Sequence, residues 1–242
     1  MNREPSPPVI IAIDGTSGSG KSTVARLLAK LLDYGHVDTG SMYRAITWRV
    51  LKEGIDPKDT PQVVTLLKRL RYECEFARDE QGIRRLRNLL DGNDPGLAIR
   101  AAEVEKAVSA VSAIPEIRHF LVGKQRELVR FGNLVVEGRD IGTVVFPNTP
   151  HKFYLDADPA VRASRRAADP SQIAANAQAK NGAPMQLQDV SRAIAERDKL
   201  DSTRAVAPLK MAGDATRVDT SAHDAQGVAE LILREIRNRA AQ

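Results

Sequence analysis

The sequence predicts an α/β fold: a doubly wound parallel sheet that carries a smaller α/β insert and a further excursion toward its C-terminal end. Three observations predict it. Short strand-like runs, Val9 to Ile13, Leu134 to Val136 and His151 to Leu155, each end in polar residues and alternate with amphipathic stretches, as in βαβ units. The first run leads at once into Gly15-Thr16-Ser17-Gly18-Ser19-Gly20-Lys21-Ser22, which fits G-x-x-x-x-G-K-[ST] at every fixed position. Between Asp56 and Gly132 the pattern changes, and two alternating segments with turn signals mark an insert.

Taken in order, residues 1–8 are proline-rich and polar and are expected to form a short disordered leader. Val9-Ile10-Ile11-Ala12-Ile13 is the first strand. The glycine loop after it lets backbone N–H groups crowd round a polyphosphate, helped by the positive end of the next helix. Lys21 can reach the β- and γ-phosphates and the Ser22 hydroxyl can ligate Mg²⁺. Residues Gly15, Thr16, Ser17, Gly18, Ser19, Gly20, Lys21, Ser22 and Thr23 are therefore the expected site for a nucleoside triphosphate. Val24, Leu27, Leu28, Leu31 and Leu32 then repeat at helical spacing as one buried face, stopping near Asp33-Tyr34-Gly35. His36-Val37-Asp38 leads into Thr39-Gly40 and a helix from Met42 to Glu53.

The insert opens with a helical stretch from Val63 to Leu70 and continues through alternating segments at Tyr72 to Phe76 and Ile83 to Leu90. Asp79-Glu80-Gln81-Gly82 turns between them, and Asp91 to Gly96 is a second turn. Helical pattern returns with Val104, Ala107, Val108 and Val111 on one side, breaks at Pro115 and resumes to Arg130. Leu134 to Val136 and His151 to Leu155 resume the core, whose ligand crevice belongs at the carboxyl ends of the strands. The stretch from Ala167 to Val190, rich in Ala, Gln, Asn and Asp, fits either a mobile lid or a plain solvated insertion. A strand at Arg217-Val218 and a helix with Val228, Leu231, Ile232 and Ile236 on one face close the chain. The expected division is a core of 9–44, 134–166 and 205–242, an insert of 45–133, and a lid with its following helix over 167–204.

Composition narrows the function. The 242 residues carry a net charge of +5 from 36 basic and 31 acidic side chains, with a pI near 9.4. Aromatics make up only 4% and no lysine run occurs, which argues against a stacking or polybasic nucleic-acid surface. Arginines gathered around anionic nucleotides explain the excess better. The one cysteine, Cys74, excludes an internal disulfide framework and reads as a small buried hydrophobe in a reducing compartment. No apolar stretch approaches the roughly 18 residues of a membrane span, and Asp14 ends the first apolar run too early for a signal peptide. A cytoplasmic monomer acting on small molecules, with no membrane or nucleic-acid partner, is expected.

A phosphate loop serves kinases, switch GTPases and motors alike, but no N-K-x-D segment for reading guanine is present. Transfer to a second phosphate would bring two anions together, and arginines would offset their repulsion. Three segments offer them: Asp38-Thr39-Gly40-Ser41-Met42-Tyr43-Arg44, Glu137-Gly138-Arg139-Asp140-Ile141-Gly142-Thr143, and Glu196 to Leu209. In the last, Arg197, Asp201 and Arg204 share a helical face, which suits either a site or an ordinary surface ion-pair ladder. Glu137-Gly138-Arg139-Asp140 follows an apolar strand, where crevice residues should lie.

Together these segments, with Thr143 to Pro147, Arg204-Ala205-Val206-Ala207-Pro208-Leu209 and, in the insert, Leu90-Asp91-Gly92-Asn93-Asp94 and Ile99-Arg100, resemble the bacterial cytidylate kinases from Val9 to the C-terminal helix. The resemblance implies a P-loop nucleoside monophosphate kinase that moves the γ-phosphate of ATP, with Mg²⁺, to CMP or dCMP, giving CDP or dCDP. It implies that Lys21, Arg44, Arg139 and Arg204 serve the chemistry, with Arg44 and Arg139 on the CMP phosphate and Arg204 nearby. Asp38 and Thr39 join the acceptor side, Arg197 and Asp201 contact the ribose, and Ser109, Arg118 and Asp140 read the cytosine. Arg162, Arg165 and Arg166 begin the lid over ATP or form a solvated helical face, with Arg165 and Arg166 assigned to the donor. Glu137 replaces the family's usual Asp and keeps a carboxylate for Mg²⁺ through water, while Ser41 replaces a usual Ala. His36, His119, His151 and His223 receive no catalytic task, and no strong base is needed because the CMP phosphate is already an anionic nucleophile. Two rivals stay open: another small-molecule kinase of this architecture, and a nucleotide-dependent switch or RNA-binding protein.

Overall fold

A strand covered on both faces must be apolar throughout, and Ile10–Gly15 (β1) is buried at every position. The computed structural model describes residues 7–169 and 186–240. Among these, β1 is joined by Gly35–Asp38 (β2), Tyr72–Arg78 (β3), Arg84–Leu90 (β4), Leu134–Glu137 (β5), His151–Asp156 (β6) and Thr216–Asp219 (β7). The seven form one sheet in the order β3-β4-β2-β5-β1-β6-β7. β1 lies parallel between β5 and β6, β2 lies parallel to β5, and β6 lies parallel to β7.

The expected parallel sheet is present, with one difference at its edge. β3 and β4 pair antiparallel as a hairpin, and β4 meets β2 in parallel through His36 and Arg85. The β segments of the insert thus extend the core sheet rather than forming a sheet of their own. Their alternation records one covered face, on which Tyr72 and Leu90 are buried.

Helices cover both faces. Ile11 and Ile13 of β1 pack with Val24, Leu28 and Ala29 of α1 (Lys21–Leu32), while Ile10 and Ala12 face the opposite side with Val37 and Ile141. Two leucines depart from the expected faces: Leu31 of α1 is 52% exposed, and Leu231 of the C-terminal helix is 37% exposed. Each lies at the edge of its apolar stripe, where helical spacing is right but the sheet no longer covers the position.

The next helix, α2 (Thr39–Lys52), starts three residues before the expected Met42. The Asp38 carboxylate caps it by accepting from Ser41 N at 3.1 Å, a local polar signal that apolar periodicity does not register. Met42, Ile46 and Val50 are fully buried on one face. At roughly 1.5–3 kcal/mol per buried side chain against about 1 kcal/mol for a cap, packing sets the direction of α2. Arg44 is thereby turned toward the carboxyl ends of the strands. Helices α3 (Thr60–Arg69), α4 (Ala102–Ala113) and α5 (Pro115–Glu127) complete the insert around Val63, Leu66, Val111, Ile117 and Leu121. Pro115 opens α5, where a missing N–H is harmless, so the expected break is a junction between two helices.

Beyond β6, α6 (Pro159–Ala167) and α7 (Leu187–Thr203) pack through Ala163, Val190 and Ile194. Most of the Ala167 to Val190 stretch, for which lid and solvated insertion were both open, lies outside the described residues. The final helix, α8 (Ala225–Ala240), packs on α1 through Val228, Ala229 and Ile232.

Candidate active site

The carboxyl ends of β1, β2 and β5 lie side by side, so the segments that follow them meet in one cleft. It encloses about 160 Å³, and its lining includes Ser17, Gly18, Lys21 and Ser22 from the loop after β1. Asp38 ends β2 and is followed by Thr39 and Arg44, and Glu137 ends β5 and is followed by Gly138, Arg139 and Asp140. Arg166 arrives from α6, Arg197 and Asp201 from α7 with Arg204 just beyond, and Arg118 from α5.

The loop needs its glycines. Gly15 has φ +146° and Gly18 has φ +76°, and a Cβ on Gly15 would fall 1.9 Å from the Leu155 carbonyl oxygen of β6. Side chains from distant segments fix the rest of the loop. Thr16 Oγ1 donates to Asp156 Oδ1 at 2.8 Å, and Ser17 N donates to Asp198 Oδ1 at 2.9 Å. Arg162 binds both the Ser17 carbonyl and Asp198, so α6 and α7 clamp the loop together. Lys21 is buried, and its ammonium donates to the Thr16 carbonyl. Burial first, and the Arg139 charge second, push its pKa down to about 7.

Beside Lys21, the Ser22 hydroxyl donates to Glu137 Oε2 at 2.6 Å, and Glu137 Oε1 lies 3.1 Å from His36 Nε2. Glu137 therefore ties the end of β5 to both the loop and β2. Asp14 turns the chain after β5. Its carboxylate accepts from Ile141 N at 2.8 Å and Gly142 N at 2.7 Å, and burial pushes its pKa up to about 6. The π turn Ile141–Val145 is thus pinned to β1, which places Arg139 and Asp140 at the cleft.

At the far end, Arg118 and Asp140 form a buried pair. Arg118 Nη2 donates to Asp140 Oδ2 at 2.6 Å, and the two side chains are 1% and 6% exposed. Burial pushes the Asp140 carboxyl above its ordinary range although Arg118 and Arg204 pull it down. Arg118 Nε and Arg204 Nη2 are buried without a hydrogen-bond partner. Between the ends, Arg139 donates to Asp201 Oδ2 at 2.8 Å and to the Gly15 carbonyl at 2.7 Å. Arg44, Arg166 and Arg197 converge on one carboxylate, Glu105. Burial alone would raise Glu105, but Arg44, Arg197 and Arg166 outweigh it and hold its pKa down to about 2.

The family model for cytidylate kinase matches residues 11–238. The chain belongs to the cytidylate kinase family. The cytidylate kinase of Corynebacterium efficiens is 48% identical over 215 residues, 88% of each chain. That of Limosilactobacillus reuteri is 42% identical over 211 residues, 87% of each. A bifunctional pantoate ligase/cytidylate kinase of Synechococcus elongatus is 44% identical over 230 residues, 95% of this chain and 42% of that protein. The chain thus spans less than half the length of this bifunctional relative.

In this member of the cytidylate kinase family, the cleft gathers most of the residues that the sequence singles out; Gly15, Thr16, Ser19 and Gly20 shape the phosphate loop without joining the lining, and Ser109, Arg165 and Thr23 fall elsewhere. Ser109 is not part of the lining; Ser112, three residues on along α4, is, and its hydroxyl donates to the Ser109 carbonyl at 3.2 Å. Arg165 is tied to the turn after β7 by the Thr220 hydroxyl, the Thr220 carbonyl and the His223 carbonyl. Thr23 is exposed on the first turn of α1, outside the lining. Asp14, His36, Glu105 and Asp198 are supports that sequence reasoning missed. Asp198 stands inside the Glu196 to Leu209 segment and Asp14 ends the first apolar run, so the sequence marks both positions without giving them a role. Nothing in the local pattern marks His36 or Glu105. Among the described residues, no helix is long and apolar enough to cross a membrane.

Proposed function

We propose that this chain is an ATP-dependent cytidylate kinase, transferring the γ-phosphoryl group to CMP or dCMP to give CDP or dCDP. The observation that carries the reading is a single cleft with a phosphate loop at one end and the buried Arg118–Asp140 pair at the other, arginines lying between. Cytosine offers an amino donor and two acceptors, which match a carboxylate and a guanidinium. Arg44 and Arg139 take the acceptor phosphate, and Arg204 stands beside Asp140, 3.9 Å away. Arg197 and Asp201 serve the ribose, and Arg166 serves the donor phosphates together with the loop. Lys21 and these arginines offset the charge on the transferring group, and the bound acceptor phosphate is itself the nucleophile.

Mg²⁺ fits the oxygen pair of Ser22 and Glu137, 2.6 Å apart, since it binds through few protein ligands and keeps several waters. Among the described residues no group of three His, Cys, Asp or Glu could hold a metal, so phosphate and water oxygens would complete its shell. When bound, the ion neutralises charge on the β- and γ-phosphates. The same reading makes the chain a cytoplasmic monomer, consistent with its free thiol at Cys74, whose pKa burial pushes up to about 11.

A coupled ADP-release assay across CMP, dCMP, UMP and AMP tests the assignment. CMP or dCMP should give the highest kcat/KM. A clear preference for AMP would make the chain another kinase of this architecture, and acceptor-independent hydrolysis would favour a nucleotide switch.

A further inference from the structure

Glu105 stands in the first turn of α4, where the helix dipole favours a negative charge. Its carboxylate gathers guanidiniums from three other elements. Oε2 accepts from Arg44 Nη1 of α2, and Oε1 accepts from Arg166 Nη2 of α6 at 2.6 Å and Arg197 Nη1 of α7 at 2.5 Å. All three arginines line the cleft, whereas Glu105 stands behind them. The Glu105 side chain is 22% exposed and those of the arginines between 14% and 24%, so water screens the cluster only in part.

One carboxylate cannot satisfy this group. Three guanidiniums carry three charges against the one on Glu105, with Asp169 a further 3.8 Å partner of Arg166, and each offers five N–H donors to the two Glu105 oxygens. Arg44 Nε is buried without a hydrogen-bond partner. A phosphate monoester brings close to two charges and three free oxygens, so it competes for the same donors from a stronger position.

We propose that Glu105 sets the affinity of the cleft for the acceptor phosphate: its carboxylate is an internal anion on Arg44, held there also by Arg197 of the ribose side and Arg166 of the donor side, and the incoming phosphate displaces it from Arg44. The inference rests on the reading of Arg44 and Arg197 as acceptor-side residues. Two consequences follow. Glu105 keeps three like charges gathered by offsetting part of their mutual repulsion, and acceptor binding becomes an exchange of one anion for another, weaker than binding to bare arginines.

Glu105→Gln, in the full chain, removes the charge and keeps the shape. The KM for CMP and the Kd for inorganic phosphate, read by calorimetry, should each fall at least about fivefold, the low end for a coupling between two sites. Cytidine, which lacks the phosphate, should bind within roughly twofold of its wild-type affinity, and the gap for phosphate should narrow in high salt. Unchanged or weaker phosphate binding would overturn the proposal, because a carboxylate that merely braces the arginines gives that result. If Glu105→Gln does not fold, Glu105→Asp decides: its shorter arm releases part of the cluster, so phosphate affinity should rise by less, and a fall would overturn the proposal. A wild-type chain that fails to phosphorylate CMP would refute the functional reading alone, because inorganic phosphate probes the cluster without a nucleoside.

Discussion

Asp140→Asn removes the negative charge from a buried ion pair while keeping the side-chain volume. Its partner Arg118 is 1% exposed, with one further bond, from Nη1 to the Ser112 carbonyl at 3.3 Å. Breaking a buried pair by removing one member costs about 3–5 kcal/mol. The asparagine oxygen can still accept from Arg118, and a neutral hydrogen bond recovers about 1 kcal/mol, which leaves about 2–4 kcal/mol. For a chain of this size that lowers Tm by roughly 4–16 °C. The effect on selectivity is separate. A carboxylate accepts from the cytosine amino group but faces the lone pairs of the uracil carbonyl, whereas an amide can rotate to donate. The ratio of kcat/KM for CMP over UMP should therefore fall at least about tenfold. Calorimetry reads the first effect and steady-state kinetics with both acceptors the second. Replacing the pair together, Asp140→Leu with Arg118→Met, should recover most of the stability, because apolar substitutes for a buried pair are often neutral, yet leave selectivity lost. If the ratio holds in Asp140→Asn while overall activity falls, Asp140 does not read the base and the reasoning fails.

Other outcomes test the loop and its supports. Lys21→Ala should lower turnover on the order of 10²-fold or more with unchanged circular dichroism, and a near-wild-type rate would remove the loop from the chemistry. With its pKa pushed down to about 7, Lys21 binds fewer protons folded than unfolded, so it adds stability as pH rises from about 7 to 10.5. Triphosphate binding restores its charge and should take up about one proton at pH 8, read by calorimetry in buffers of different ionisation heat. No uptake would contradict the low pKa. Glu105, held down to about 2 against an ordinary 4.5, contributes stability that is present above pH 4.5 and lost as pH falls toward 2. Glu105→Gln should flatten that part of the acid-unfolding curve, and an unchanged curve would speak against the three-arginine cluster. Gly15→Ala sets a Cβ 1.9 Å from the Leu155 carbonyl oxygen, so about 3 kcal/mol or more should be lost in urea unfolding. A loss within about 1 kcal/mol would refute the β1–β6 register.

The parts of the fold that could be read in the chain were those coded locally. Val9 to Ile13 followed by the glycine loop announces a strand, a phosphate turn and a helix within a few residues, and the structure places them there. Glu137 to Asp140 could be placed because a crevice residue must follow an apolar strand. The supports were hidden because their partners are remote: Asp198 meets Ser17 across 181 positions, Asp14 meets Gly142 across 128, and Glu105 meets Arg197 across 92. Periodicity reports which face of an element is covered and not which carboxylate another element will need. Ser109 and Ser112 show the limit on a finer scale, since a shift of three residues along α4 decides which one reaches the cleft. Leu31 and Leu231 show that helical spacing does not reveal where the sheet beneath a helix ends.

The central claim concerns where the γ-phosphoryl group goes, and ³¹P NMR of the full chain with ATP, Mg²⁺ and CMP reads this directly. The account predicts that CDP and ADP appear together in equal amounts, with no inorganic phosphate beyond the enzyme-free rate and no turnover when CMP is omitted. Inorganic phosphate accumulating in place of CDP, or faster transfer to AMP than to CMP at equal concentration, would contradict it.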